Sequence, residues 1–455
     1  MDLHTIIDDY HALLDDGAAR ALYTTLDAEL RARGMLVGKA RYRLVCSALR
    51  PRFITRPQYD LLIEAATLVG RAIRRVGAAA LDDPAMLAPY ALSETERQLL
   101  AIDPGYPGAA VFGRLDGFLA ADASSCHFVE SNLESPAGVA YDEALAEIFA
   151  ATAPMAAFRT RYRAEPLPVR PALQRLLLDT YAAWGGSGVP QIAIVDFPTV
   201  VTISEFQHLQ RRFAADGIPT VIAGPDELRY DGRRLYAGDT PIDLVYRRIL
   251  QHEFLAAYDL THPLIRAYAD GNVCVVNPLR TKPVHTKLIM WLLSDEDGPA
   301  AGLLTAHDFA ALARHVPWSR LVRSGTTRHD GETVDLLAFA RERRERLVLK
   351  ANDDYGGQGV LLGWETPQAQ WDAELDAALG SPHLIQERVP VQQELYPTWD
   401  EAGGLQLTPR YVDADPCIYG DVALGCLTRV ASTALLNVSA GGGSAPPTFL
   451  VEPRS

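Results

Sequence analysis

The chain has 455 residues, with 43 Lys+Arg against 57 Asp+Glu and a formal charge of −14. That acidic balance argues against a sequence-independent nucleic-acid binder, which needs a Lys/Arg excess on one face. Hydrophobic residues at 48% and charged residues at 22% exclude wholesale disorder, and the length predicts about two or three packed units.

The opening MDLHTIIDDYHALLDDG has neither a basic nor an apolar leader region. No apolar stretch reaches the roughly 20 residues of a membrane span. Cys46, Cys126, Cys274, Cys417 and Cys426 are widely scattered, without a CxxC pair. A soluble cytoplasmic protein with reduced thiols is expected.

Residues 1–100 read mostly as helix. Leu3, Ile6, Ile7, Tyr10, Leu13 and Leu14 recur at helical steps, with Gly17 as the stop. Residues 57–80 give a second helix with Pro57 near its start. Residues 113–119 and 127–130 then read as two strands of a hairpin, followed by a helix over 139–151. A boundary falls near 165. Strand 191–197, helix 204–215 and strand 220–223 make a βαβ unit, which requires parallel sheet, and 243–247 reads as a further strand. In the C-terminal part, 347–350, 360–364 and 383–387 read as strands and 368–378 as helix. The Gly/Ser/Pro-rich stretch 439–447 reads as loop. The chain thus divides into a helical region (1–100), a hairpin segment (101–165), a βαβ segment (166–275) and a C-terminal α/β segment (276–455).

Five motifs carry chemistry. In Leu347-Val-Leu-Lys-Ala-Asn-Asp-Asp-Tyr-Gly-Gly-Gln-Gly, a strand delivers Lys350 to a turn containing Gly356, Gly357 and Gly359. Glycines let backbone amides approach an anion, so the pattern suits a phosphate cradle; a plain Gly-rich hairpin is the alternative. On the predicted hairpin, Arg114 and Asp116 alternate on one strand, as do Glu130 and Asn132 on the next. Their oxygen donors suit Mg²⁺, and a solvated strand face is the alternative. Gln386 and Glu387 end an apolar strand that can face a purine edge and ribose. Lys282 and Lys287 bracket His285 at the opening of an apolar helix, giving local basic density suited to phosphate. Arg429 and the glycines before Ser444 can contact an anion. No HExxH, GxSxG or GxGxxG pattern is present.

Taken in order, these segments resemble the circularly permuted ATP-grasp proteins, the group that includes glutathionylspermidine synthetase. The resemblance rests on Arg114-Leu-Asp116, Glu130-Ser-Asn132, the segment 243–248, Asn277 to Lys287, Lys350 with its glycines, Gln386-Glu387, and residues 429–443. It implies an α/β (α+β) fold: a permuted ATP-grasp core with a helical N-terminal extension. It implies Asp116, Glu130 and Asn132 as Mg²⁺ ligands and Arg114 and Arg429 as catalytic cations. It further implies Lys287, Lys350, Tyr355, Gly356, Gly357, Gln358, Gly359, Gln386 and Glu387 as the ATP-binding set. The activity implied is ATP-dependent joining of a small-molecule carboxylate to an amine through an acyl phosphate, with no nucleic acid or membrane partner. An ATP-dependent phosphotransferase and a non-catalytic nucleotide-binding protein are the alternatives. Arg247, Arg248, Arg280 and Arg429 are candidates for holding a substrate carboxylate, because a guanidinium binds one bidentately.

Overall fold

Short polar side chains start the first helices, because an N-cap oxygen satisfies an amide that the helix leaves unpaired. Asp2 caps α1 (Leu3–His11), and Asp15 accepts from the Ala18 amide at 2.7 Å to start α2 (Asp16–Ala32). Gly17 therefore lies in the first turn of α2 and does not terminate α1. β1 (Arg52–Thr55) leads into α3 (Arg56–Asp82), where Gln58 accepts from the Thr55 amide at 3.0 Å and Pro57 sits in the first turn. These observations come from a computed structural model that describes residues 2–37, 43–354, 359–436 and 443–454.

The expected hairpin is β2 (Phe112–Leu119) and β3 (Cys126–Asn132), followed by α4 (Val139–Ala150) and β4 (Tyr162–Pro166). β5 (Ile192–Val195), α5 (Ile203–Ala215) and β6 (Thr220–Ala223) form the βαβ unit. β7 (Leu244–Arg247) and β8 (Cys274–Val276) join the same sheet. Then come α6 (Leu288–Ser294), β9 (Ser319–Leu321), β10 (Leu347–Ala351), β11 (Val360–Leu362) and β12 (His383–Glu387). Two hairpins follow, β13 (Gln393–Asp400) with β14 (Gly404–Val412) and β15 (Asp415–Tyr419) with β16 (Val422–Leu427). β17 (Thr448–Pro453) is the last strand described.

Four sheets organise the site. The parallel sheet has the order β8-β7-β5-β6; β5 and β8 are continuous buried apolar runs, and β7 is apolar up to Arg247. An antiparallel sheet has the order β9-β12-β10-β11. The third, β16-β15-β2-β3, joins the early hairpin to a late one through the pairing of Arg114 with Cys417. In the fourth, β17 lies between β1 and β4.

α3 packs on the third sheet through Leu62, Ala65, Val69, Ile73 and Val76, all buried. At Gly77 a Cβ would stand 2.1 Å from Val284 Cγ1, so only glycine lets the helix approach that closely. Residues 1–100 are mostly helical, yet β1 and α3 share layers with the late strands. No helix among the described residues is long and apolar enough to cross a membrane.

Candidate active site

Period-two alternation puts Arg114 and Asp116 on one face of β2, and the hairpin register sets Arg114 opposite Asn132 and Asp116 opposite Glu130. Arg114 donates from Nε to Asp116 Oδ1 at 2.7 Å and from Nη2 to Oδ2 at 2.9 Å. Arg429, just beyond β16, donates from Nη2 to Asp116 Oδ2 at 2.8 Å. Two carboxylates that the sequence reading missed complete this cluster. Asp413 accepts from Arg429 Nε at 2.6 Å and from its amide at 2.5 Å. Asp415 Oδ2 lies 3.0 Å from Arg429 Nη2 and 3.6 Å from Arg114 Nε. The run Tyr-Val-Asp413-Ala-Asp415 carries the same i, i+2 spacing as Arg114 and Asp116, which is the signal that points to them. Burial would raise the Asp116 carboxyl, but Arg114 and Arg429 hold it below the ordinary carboxylate range. Burial pushes Asp413 and Asp415 up, because the guanidinium groups offset only part of their desolvation.

The two lysines arrive from the other side. Lys350 on β10 donates to the carbonyl of Val129 on β3 at 3.0 Å and to Gln386 Oε1 at 2.6 Å. Gln386 in turn donates to Ser319 Oγ at 3.0 Å. Its side chain therefore positions the lysine. Burial brings the Lys350 ammonium down to about 8, with Lys287 adding to the fall and Glu130 opposing it. Lys287 opens α6, with Nζ 3.5 Å from Glu130 Oε1 and donating to the carbonyl of Asp354. Asn352, just after β10, fixes this helix start: its Oδ1 accepts from the Leu288 amide at 2.9 Å and its carbonyl from the Lys287 amide at 3.1 Å. Glu387 is hydrogen-bonded to His329 at 2.8 Å.

Tyr355, Gly356, Gly357 and Gln358 lie outside the described residues, as does most of the glycine run after Arg429. Gly359 has φ +62°, and a Cβ there would stand 2.4 Å from Asp354 Oδ2, so the turn demands glycine.

A cavity of about 840 Å³ collects these groups. Arg114, Asp116, Glu130, Asn132, Lys287, Lys350, Gln386, Glu387 and Arg429 all line it. Arg247 does not. It is buried and donates to Glu134 Oε1 at 2.7 Å and to the carbonyls of Ile249, Asn277 and Pro278, so it serves the fold and not a substrate carboxylate. Arg248 reaches the cavity wall, yet it donates to the Pro136 carbonyl at 2.6 Å and to Tyr246 Oη at 3.1 Å. Lys282 pairs with Asp353 and Glu96 instead of facing the cavity. Asn277 ties the site together: Oδ1 accepts from the Val111 and Phe112 amides, and Nδ2 donates to the Phe112, Leu133 and Glu134 carbonyls.

No group of three or more His, Cys, Asp or Glu among the described residues is placed to hold a metal. The hairpin instead offers two carboxylates and one amide on the cavity wall. That all-oxygen set fits Mg²⁺, which keeps waters and phosphate oxygens in its shell and needs few protein ligands.

With this geometry the chain can be set beside known proteins. A glutathione synthetase-like effector from Globodera pallida, in apo form, aligns with a TM-score of 0.60 over 96% of this chain and 99% of its own, at 11% identity. The two proteins share a fold. No protein-family model matches the chain. By sequence, an uncharacterized protein of Mycobacterium tuberculosis is 27% identical over 347 residues, covering 72% of this chain and 58% of that protein. A Frankia alni protein named as a candidate glutamate–cysteine ligase is 26% identical over 249 residues, covering 50% of this chain and 26% of that protein. The chain thus spans less than two thirds of the length of these curated relatives.

Proposed function

We propose that this chain is an ATP-grasp carboxylate–amine ligase of the circularly permuted kind, acting on small molecules in the cytoplasm with ATP and Mg²⁺. One observation carries the reading: Lys287 at the start of α6 and Lys350 on β10 meet the early hairpin on a single cavity, with Lys287 Nζ 3.5 Å from Glu130 Oε1 and Lys350 bonded to the Val129 carbonyl. The fold shared with the glutathione synthetase-like effector supports it, and so does the name of the Frankia relative.

In this reading Lys287 and Lys350 hold the ATP phosphates, and the glycines at 356–359 close beside them. The strand end at Gln386 and Glu387 faces adenine and ribose. Asp116, Glu130 and Asn132 would hold Mg²⁺, which, when bound, supplies charge neutralisation at the phosphates. Arg114 and Arg429 sit where the transferring phosphate carries its charge. A substrate carboxylate oxygen bonds to the γ-phosphorus as the bond to the ADP oxygen breaks. The amine nitrogen then bonds to the acyl carbon, phosphate leaves with the acyl oxygen, and the amine proton passes to solvent. The protein does little covalent work, so orientation and fixed cations supply the rate.

The test is an ADP-release screen over pooled amino acids, short peptides and polyamines, followed by mass analysis. An amide with free phosphate is expected. A stable phosphoester would make the protein a phosphotransferase, and nucleotide binding with no ADP from any pool would overturn catalysis altogether.

A further inference from the structure

Both oxygens of Asp116 are covered by guanidinium groups. Arg114 spans Oδ1 and Oδ2, and Arg429 Nη2 shares Oδ2 at 2.8 Å. A cation that uses Asp116 must displace at least one of these, and a buried guanidinium left without an anion is strongly unfavourable. The surroundings already contain a second seat. Asp415 is fully buried, and its Oδ1 accepts from the Gly117 amide at 3.2 Å. Its Oδ2 has no hydrogen-bond partner, although it lies only 3.0 Å from Arg429 Nη2. Asp413 meanwhile holds the inner part of the same side chain, through Nε at 2.6 Å and the backbone amide at 2.5 Å.

We propose that Arg429 is a two-position side chain: it pivots on Asp413, and Asp415 Oδ2 is the seat it takes when Asp116 is given up to a divalent cation. The inference rests on the metal reading above. The pivot keeps Nε paired in both positions, and only the Nη2 hydrogen bond changes partner, from Asp116 Oδ2 at 2.8 Å to Asp415 Oδ2, which already lies 3.0 Å away. Arg114 keeps Asp116 through Nε on Oδ1 at 2.7 Å and Nη2 on Oδ2 at 2.9 Å, and the Ala137 carbonyl through Nη1 at 3.1 Å, so the move frees one of the two guanidinium contacts on Oδ2. Asp413 and Asp415 are thus positioning residues. They let the metal-binding carboxylate stay neutralised without a metal and become available without stranding a charge.

The experiment follows binding of a non-hydrolysable ATP analogue by calorimetry over a range of free Mg²⁺. Asp415→Asn places an amide where the vacant acceptor stood, so Arg429 keeps its hold on Asp116. The Mg²⁺ midpoint should rise roughly fivefold or more, with metal-free analogue affinity close to the parent. Arg429→Ala removes the competitor and should lower the midpoint; adding it to Asp415→Asn should abolish the rise. Glu130→Gln should lose the Mg²⁺ response in every background. If Glu130→Gln responds like the parent, the metal reading itself fails. If Glu130→Gln loses the response while Asp415→Asn keeps the parental midpoint, the two-seat inference alone is overturned. Should Asp415→Asn fail to melt cooperatively, Arg429→Ala decides: an unchanged or raised midpoint refutes the competition.

Discussion

Lys350 shows how burial turns an ordinary cation into a titratable one. Its ammonium is brought from 10.5 down to about 8, so the free protein carries the charge below that pH and loses it above. Nucleotide affinity should therefore fall as pH rises through about 8, and binding above that point should draw in a proton. Calorimetry in buffers of different ionisation enthalpy reads the uptake directly. Lys350→Arg, charged throughout, should flatten the profile; a parental profile in that variant would dismiss Lys350 as the titrating group. Removing a proposed metal ligand acts differently. Glu130→Ala or Asn132→Ala should abolish ATP turnover while melting within a few degrees of the parent, and full activity in both would end the metal assignment. Arg114→Ala should cost roughly 10²–10³ in kcat, by analogy with the loss of one preorganised donor.

The β2–β3 hairpin was legible because its polar residues recur at period two within apolar strands. The partners of that hairpin were not. Asp413 and Asp415 gain meaning only when β15 pairs with β2, and nothing local announces a pairing between residues 114 and 417. Gln386 illustrates a finer limit: its strand is readable, but the direction of its side chain toward Lys350 depends on two neighbouring strands. Asn352 looks like part of a glycine-rich turn and in fact caps α6. Gly17 misleads for the opposite reason, since Asp15 before it starts a helix more strongly than one glycine ends one. β13 and β14 carry a polar, proline-containing pattern that does not read as sheet. The segment before α6 offers a test at this level. Asn277→Ala would leave the Phe112, Leu133 and Glu134 carbonyls and two amides without their partner, so roughly 3–5 kcal/mol of stability should be lost. Urea unfolding measures it; a loss under about 1 kcal/mol would show that water replaces the side chain.

Across the molecule, early and late segments share two of the four sheets around the cleft. β17 fills the middle of a sheet between β1 and β4, burying Phe449, Leu450 and Val451. A chain ended after residue 446 should therefore lose its cooperative melt by circular dichroism, since two strands would expose open edges. A truncated chain that still melts like the parent would mean that this sheet is dispensable.

The pairing of β2 with β15 sets a clock on biosynthesis. Asp116 and Arg429 are separated by 313 positions. At roughly 5–20 residues per second, a ribosome needs on the order of 15–60 s to deliver the second after the first. Throughout that interval the nascent hairpin presents a bare strand on the side where β15 will dock. The cleft therefore closes only after β15 has been made, and chaperones that shelter unpaired strands should govern how much of the polypeptide reaches it.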